Sequence, residues 1–254
     1  MATKNTVSRL AVLCASAIVA IGGMGSSAYA DTAKGLSKDE VNALIKEYIL
    51  GNPEIIIESL ENHEIDQRRK EAEMAAKALT ERKEDLFADE NSPSIGPDDA
   101  DITIVEFFDY NCGYCKKALA DLNEVLKDDD NIRVVFKEFP VLSPASRTAA
   151  LWGLAADKQG KYFEFHQELM KHRGNKDEAA MSKVAESVGL DVDKLKADAG
   201  SAETEAILME MRELGVALGI RGTPGFVIND QVYPGWIPAD RMKAEIKKKR
   251  EAMQ

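Results

Sequence analysis

The chain has 254 residues, with 33 Lys and Arg against 44 Asp and Glu, and its formal net charge is −11. This acidic balance argues against binding of nucleic acid through its phosphates and against adhesion to anionic lipid. A hydrophobic content of 44% and only three cysteines exclude a disordered chain and a scaffold held by many disulfides. The length allows one sizeable domain or two small ones.

The first 30 residues have the pattern of an export signal. A basic start is followed by an apolar core over 10–23, and no acidic residue occurs before Asp31. Ala28-Tyr29-Ala30 supplies small residues at the −3 and −1 positions of a signal-peptidase site. We therefore expect a cleavable signal peptide over 1–30 and a periplasmic protein. A retained membrane anchor is the weaker alternative, because the apolar core is shorter than a bilayer requires.

Residues 36–60 have the pattern of two short amphipathic helices. Apolar residues recur every three or four positions over 41–49, and Gly51 ends this helix. Asn52-Pro53 begins a second helix that carries further Ile and Leu residues. Two short helices cannot bury so many apolar side chains between themselves. We therefore expect a homo-oligomer, a dimer or trimer, formed through 36–60. The alternative is a monomer in which these side chains pack on the protein's own domain.

Residues 61–90 hold sixteen charged side chains in thirty and few large apolar ones. Opposite charges four positions apart predict a solvated helix, and the lack of a sustained Leu or Ile heptad disfavours a long coiled coil. The segment 91–97 contains two prolines and a glycine and breaks any helix. The predicted division is an oligomerisation segment and charged spacer over 31–90, a linker over 91–100 and a domain over 101–254.

The domain over 101–254 alternates strands and helices. Runs of β-branched and aromatic residues predict buried strands at 102–108 and 132–138. The other predicted elements are a helix at 113–127, a mainly helical stretch at 143–219, a hairpin at 225–234 and a final helix at 238–252. This order predicts an α/β fold with helices on both faces of a small mixed sheet.

Loss of the signal peptide would leave two cysteines, Cys112 and Cys115, at the turn from the first strand of the domain into its first helix. A spacing of three over a helical turn brings the two Cα atoms within disulfide range. The helix N-terminus lowers the pKa of Cys112, so that this residue is a thiolate near neutral pH and a good leaving group. Cys115 lies one turn further inside and is suited to resolving a mixed disulfide. We predict a redox-active disulfide that needs no other cofactor.

Three other roles of this pair are open. A disulfide that closes so short a loop would stabilise the fold by only about 2 kcal/mol, so a structural clamp explains little. A zinc site needs two further ligands, and His166 and His172, expected at the surface of a helix, do not have a typical finger spacing. Cu(I) can bind two thiolates alone, although no cluster of Met and His accompanies them. We predict no resident metal and keep Cu(I) as an alternative.

Two segments carry a family resemblance. The run 107–116, which contains Cys-Gly-Tyr-Cys, resembles the active-site segment of DsbA-like thioredoxin-fold proteins, and Arg221-Gly-Thr-Pro-Gly-Phe226 is similar to their loop before a strand. The stretch 143–219 is similar to the helical insertion of that family. With the N-terminal region included, the chain looks like the ScsC and Com1-like branch, whose members oligomerise through N-terminal helices. The resemblance implies a thioredoxin-like α/β fold with a helical insertion, preceded by an N-terminal helical segment.

The resemblance also implies roles around the sulfurs. Cys112 would be the nucleophile and Cys115 the resolving thiol. Glu106 matches the acid that the family places beneath the active site. A lone carboxylate in an apolar strand is expected to be buried, with a raised pKa, and able to relay a proton to or from Cys115. The alternative is a solvent-facing glutamate at a strand edge.

Four further residues are implied to contact the client. The peptide bond before Pro224 would be cis, and this proline would shape the peptide groove and keep a metal from the dithiol. Thr223 would present its backbone to the client strand, and its hydroxyl would contact the sulfurs. Gly113 and Tyr114, between the two cysteines, would also lie against the client.

The Gly-Tyr dipeptide departs from the Pro-His of strongly oxidising DsbA enzymes. The missing histidine removes a stabiliser of the thiolate, so we expect a less extreme reduction potential. A threonine before the proline is shared with disulfide isomerases of the same superfamily. We therefore predict an exported thiol–disulfide oxidoreductase that acts as an isomerase on partly folded, cysteine-containing proteins. The alternatives are a DsbA-type oxidase and a copper-binding stress protein. The implied membrane redox partner is DsbB-like for an oxidase, or DsbD-like or ScsB-like for an isomerase.

Overall fold

A computed structural model describes residues 36–253. The predicted signal peptide and its cleavage after Ala30 lie outside the described residues. The chain divides into two compact units, one up to Leu60 and one from Glu61 onward. Within the described residues, no helix is long and apolar enough to cross a membrane.

The first unit contains one predicted amphipathic helix and the beginning of the second, which continues past Leu60. Helix α1 spans Lys38–Gly51, and α2 begins at Pro53 and spans Pro53–Glu81. Ser37 and Glu40 form a capping box at the start of α1, in which the Glu40 carboxylate accepts from the Ser37 backbone N–H at 2.8 Å. Large apolar side chains are exposed along both helices up to residue 60, and Leu50 reaches 71% exposure.

The second unit is built on a five-stranded mixed sheet with the strand order β1-β3-β2-β4-β5. The strands are β1 (Ser94–Ile95), β2 (Ile102–Phe108), β3 (Ile132–Glu138), β4 (Gly225–Ile228) and β5 (Gln231–Tyr233). Strands β2 and β3 are parallel, and the other neighbouring pairs are antiparallel. The bounds of β2 and β3 are those predicted, because both are continuous runs of residues that favour buried strands.

Helices cover both faces of this sheet, as predicted. They are α3 (Lys83–Phe87), α4 (Gly113–Asp128), α5 (Pro144–Asp157), α6 (Tyr162–Lys171), α7 (Glu178–Ser187), α8 (Val192–Ala199), α9 (Ala202–Ala217) and α10 (Ala239–Ala252). One core joins the sheet to α4, α6 and α10, and the other joins it to α3 and α9. The predicted helical insertion over 143–219 therefore consists of α5 to α9.

Packing begins earlier in the chain than the predicted domain start at 101. Leu86 is fully buried in the core beneath the sheet, and Ala78, Leu79 and Phe87 pack against the same cluster. The end of the predicted solvated spacer is thus part of the domain. Leu79, Leu86 and Phe87 are too few apolar residues in a strongly charged run to reveal this burial from the sequence.

A buried lysine fastens this segment to the sheet. Lys137 on β3 is 1% exposed, and its ammonium group donates to the Asp89 carboxylate at 2.9 Å and to the Ser92 hydroxyl. Asp89 in turn accepts from Ser92. The lysine charge is therefore paired and hydrogen-bonded, as a buried charge must be.

The predicted linker over 91–100 contributes the edge strand β1. Gly96 follows this strand with φ +91°, and a Cβ at this position would collide with the Ile132 carbonyl oxygen. The close approach of the two backbones therefore requires glycine here.

Candidate active site

Cys112 lies where the chain leaves β2 and enters α4. It is the N-cap residue of that helix, and its Sγ accepts a hydrogen bond from the Cys115 backbone N–H at 3.3 Å. The preceding turn is held by Asp109, which is buried and accepts from the Asn111 backbone at 2.7 Å and from Val141 and Leu142 at 3.0 Å. Cys112 is therefore presented at the helix N-terminus on a fixed turn.

The surroundings of Cys112 favour its thiolate. A hydrogen bond from the Cys115 side chain, together with bonds from Thr223 and from the Cys115 and Tyr114 backbone, lowers the pKa of Cys112 to about 5. Burial acts in the opposite direction and is outweighed. At neutral pH the reduced residue is thus a thiolate, as the helix position predicts.

The loop before β4 meets this sulfur from the other side. The Thr223–Pro224 peptide bond is cis, as predicted. The Cys112 Sγ lies 3.2 Å from the Thr223 carbonyl oxygen, which accepts a hydrogen bond from the thiol when Cys112 is protonated, although the two residues are far apart in the chain. The structure thus brings Cys112, Thr223 and Pro224 together.

Cys115 has a different environment from Cys112. Its side chain is fully buried in the core. Burial raises the pKa of Cys115 strongly, and the Cys112 sulfur and the Glu106 carboxylate raise it further. Cys115 is therefore a protonated thiol in the reduced protein.

Glu106 is the carboxyl group whose charge acts on Cys115. It lies on β2 opposite Phe226, is 1% exposed, and neither of its carboxylate oxygens has a hydrogen-bond partner in the described chain. Burial, and secondarily the negative charge of Cys112, raises the pKa of Glu106 to about 8. The predicted burial is confirmed, and the solvent-facing alternative is wrong.

Gly113 and Tyr114 form the exposed first turn of α4. Gly113 has no atom near the position of a Cβ, and Tyr114 is 58% exposed. Sequence reasoning missed Trp236, whose ring lies 6.1 Å from that of Tyr114. No local pattern could reveal this neighbour, because the pairing of β5 with β4 brings it there.

A second buried polar group lies on the same sheet face as Glu106. Glu138 pairs with Phe108 in the register of β2 and β3, and its carboxylate accepts from the Tyr162 hydroxyl at 3.0 Å. Burial raises its pKa well above the ordinary value. A Cβ on Gly153 would lie 2.6 Å from this carboxylate, so α5 packs too closely here for any side chain.

His166 corrects the expectation of a surface histidine. It is fully buried among aromatic rings, stacked on Tyr162 with centroids 5.6 Å apart, and burial lowers its pKa to about 3. Its helix α6 faces the core at this position, which the mixed local sequence did not reveal. A neutral histidine in the core is a packing residue here.

Comparison with known proteins settles the family. Residues 103–247, more than half of the chain, match the family described as "DSBA-like thioredoxin domain". The chain belongs to this family. Residues 38–70 also match the "Copper resistance protein ScsC N-terminal domain", which agrees with the resemblance to the ScsC-like branch.

Solved structures agree with this assignment. A thioredoxin-like oxidoreductase from Silicibacter pomeroyi is 38% identical, with a TM-score of 0.64 over 66% of this chain and 97% of that one. A mutant of Proteus mirabilis ScsC that lacks part of its linker is 26% identical, with a TM-score of 0.65 over 87% of this chain and 100% of that one. These neighbours share the thioredoxin-like fold of the matched domain.

Curated relatives include much longer proteins. A Na(+)/H(+) antiporter from Salinispora arenicola is 29% identical over 153 residues, which are 59% of this chain and 24% of the antiporter. The chain thus spans about a quarter of the length of such curated relatives.

Proposed function

We propose that this chain is a periplasmic thiol–disulfide oxidoreductase that acts mainly as an isomerase on partly folded exported proteins. The observation that carries the proposal is the difference between the two cysteines. Cys112 has a pKa of about 5 and faces the cis Thr223–Pro224 loop, whereas Cys115 is buried and protonated. The export-signal pattern of the first 30 residues supports the location.

The first step uses the Cys112 thiolate. It attacks one sulfur of a wrong client disulfide, the client S–S bond breaks, and the electron pair leaves with the other client sulfur as a thiolate. The client is then held to Cys112 by a mixed disulfide. Thr223, which is half-buried beside Cys112, would present its backbone to an extended client segment.

Two routes lead from the mixed disulfide. In isomerisation, another client thiolate attacks the client sulfur, forms a new client disulfide and restores the Cys112 thiolate, with no net transfer of electrons. In the second route, Cys115 gives its proton to Glu106 and attacks the Cys112 sulfur. This releases the client thiolate and leaves the Cys112–Cys115 disulfide. That route oxidises the enzyme by two electrons, which a membrane donor of the DsbD or ScsB kind would restore.

The N-terminal helices favour the isomerase over the oxidase. Up to residue 60 they expose large apolar side chains in the single chain, among them Leu44, Ile45 and Ile56. Such a surface is typical of an interface between copies. A homo-oligomer formed through 36–60 would present several dithiols to one client and raise their effective concentration around it.

A DsbA-type oxidase is the second candidate function and uses the same thiol–disulfide exchange. It would keep the Cys112–Cys115 disulfide, take two electrons from client thiols and pass them to a DsbB-like membrane partner. Stabilisation of the Cys112 thiolate favours the reduced enzyme and thus gives some oxidising power. The Gly-Tyr dipeptide lacks the histidine that strengthens this effect in strong oxidases.

Copper binding is supported by one separate observation, the name of the matched ScsC N-terminal domain. Among residues 36–253, no group of three or more His, Cys, Asp and Glu side chains is placed to hold a metal. Cu(I) would therefore be held by the Cys112 and Cys115 thiolates alone, and the Thr223 carbonyl oxygen lies 3.2 Å from the Cys112 sulfur.

Reactivation of scrambled ribonuclease tests the proposed function. We expect the reduced mature protein to restore ribonuclease activity at catalytic amounts, and Cys112→Ser to lose this activity. Oxidation of reduced ribonuclease without reactivation of the scrambled form would favour the oxidase. Stoichiometric Cu(I) binding that Cys112→Ser removes, with no turnover in either assay, would favour the copper protein.

A further inference from the structure

Two aromatic side chains stand out on the surface around the dithiol. In the described part of the chain from residue 61 onward, Tyr114 and Trp236 are the two aromatic residues that are exposed, at 58% and 38%. The other aromatic side chains of this unit are buried or half-buried. Large exposed aromatic surface in a folded domain marks a place where another molecule binds.

The rings of Tyr114 and Trp236 form one surface beside Lys117, which we call the aromatic ledge. Their centroids are 6.1 Å apart, and the planes are tilted by 40°. The Lys117 ammonium group lies 5.6 Å from the Tyr114 ring centroid and 5.4 Å from that of Trp236. This cation–π contact holds the rings beside each other and covers only part of their surface.

Asp121 fixes the orientation of the ledge. Its carboxylate accepts from the Trp236 indole N–H at 2.8 Å and from the Ala239 backbone N–H at 3.3 Å. Asp121 on α4 thus holds both the indole and the start of α10. A ring held in this way loses little conformational freedom when a partner covers it.

The ledge lies next to the reacting sulfur. Tyr114 is two residues after Cys112 on the first turn of α4. Trp236 follows β5, which pairs with β4, the strand that comes directly after the Thr223–Pro224 loop. A client attached to Cys112 would therefore be close both to the Thr223 backbone and to the aromatic ledge.

We propose that the Tyr114–Trp236 ledge binds an aromatic side chain of the client that is adjacent to the client cysteine. The proposal rests on the proposed function and adds to it a preference among client disulfides. Wrong disulfides in partly folded proteins lie in segments whose aromatic residues are not yet buried. Stacking on the ledge would select those segments over exposed, polar ones.

The test measures the attack of Cys112 on short peptides. Each peptide carries one cysteine as a mixed disulfide with thionitrobenzoate, and the neighbouring residue is Trp, Gly or Glu. The Cys112 thiolate attacks the peptide sulfur, the bond to thionitrobenzoate breaks, and the coloured thionitrobenzoate anion leaves with the electron pair. The second-order rate constants are compared within each protein, so that changes in the reactivity of Cys112 itself cancel.

We expect the Trp peptide to react about threefold to tenfold faster than the Gly peptide. Trp236→Ala should make the two rates equal, and Tyr114→Ala should reduce their ratio. Met209→Ala is the matched control, since it removes an apolar side chain of similar exposure, 42%, from helix α9 of the same unit. It should leave the ratio unchanged.

Equal rates for the Trp and Gly peptides in the unaltered protein would overturn the proposal, and so would a ratio of these rates that is unchanged in Trp236→Ala. Faster reaction of the Glu peptide would also overturn it, because recognition would then be due to the charge of Lys117. If the proposed function is wrong, the result differs: the protein would react with every peptide no faster than an ordinary thiol does.

Discussion

In the reduced protein, the Cys112 thiolate should persist until the pH falls to about 5, which is the pKa that its hydrogen bonds produce. An ordinary cysteine has a pKa of about 8.5, so the expected shift exceeds three pH units. The ultraviolet absorbance of the thiolate, followed against pH, measures this directly. In Cys112→Ser the signal should be lost at neutral pH, because burial keeps Cys115 protonated.

This shift also links the redox state to stability. The pKa of Cys112 is lower in the folded protein than in the unfolded chain, so ionisation of the thiol favours folding. The reduced protein should have this stabilisation in full above about pH 8.5 and lose it as the pH falls through about 5. The oxidised protein, which has no thiol at this position, should not show the effect.

Replacement of Glu106 by Gln should slow the release of the client from Cys112 by about 100-fold at neutral pH, because Cys115 loses the base that takes its proton. In the thiolate enzyme, the Cys112 charge is one of the causes that raise the pKa of Glu106. Once Cys112 is bound in a mixed disulfide, that charge is gone and the pKa of Glu106 falls. Burial, the larger cause of the raised pKa, remains, so the fraction of Glu106 present as carboxylate increases at the stage that needs it.

Mass spectrometry of acid-quenched samples separates this step from the first one. The amount of enzyme that still carries a peptide reports the attack of Cys115, whereas thionitrobenzoate release reports the attack of Cys112. Glu106→Gln should slow only the attack of Cys115 and should remove the pH dependence of that step. Glu138→Gln is the matched control: its carboxyl is also buried but bonds to Tyr162, so we expect no change. Release at the unaltered rate in Glu106→Gln would show that the relay is wrong.

The sequence predicted the parts of the fold that local patterns determine. Strands β2 and β3 are continuous runs of β-branched and aromatic residues, and Gly51 with Pro53 separates α1 from α2. The position of Cys112 at the start of α4 follows from the strand-to-helix pattern alone. The approach of the Thr223–Pro224 loop to Cys112 was predicted instead from the family resemblance.

The parts that were missed depend on tertiary contacts. Strand β1 has two residues in a segment rich in proline, and it forms only because β3 pairs with it. Leu86 is buried in a core formed with residues that are distant in the chain, and Lys137 is also distant in the chain from its partner Asp89. Trp236 and Glu138 reach the surroundings of the dithiol through strand pairing, which no spacing in the sequence records.

The most direct test of the central claim is reactivation of scrambled ribonuclease by a variant whose N-terminal apolar surface is altered while the dithiol domain is left intact. Leu44→Glu combined with Ile56→Glu places charges at two exposed apolar positions of α1 and α2. Lys46→Glu is the control, because it changes the charge of α1 at a position that is already polar. Sedimentation of each protein reports its oligomeric state.

We predict that the double variant is a monomer, keeps the rate at which Cys112 attacks a small peptide disulfide, and loses most of the ribonuclease reactivation, whereas the control resembles the unaltered protein. A monomeric double variant that reactivates scrambled ribonuclease at the full rate would contradict an isomerase that depends on its N-terminal helices.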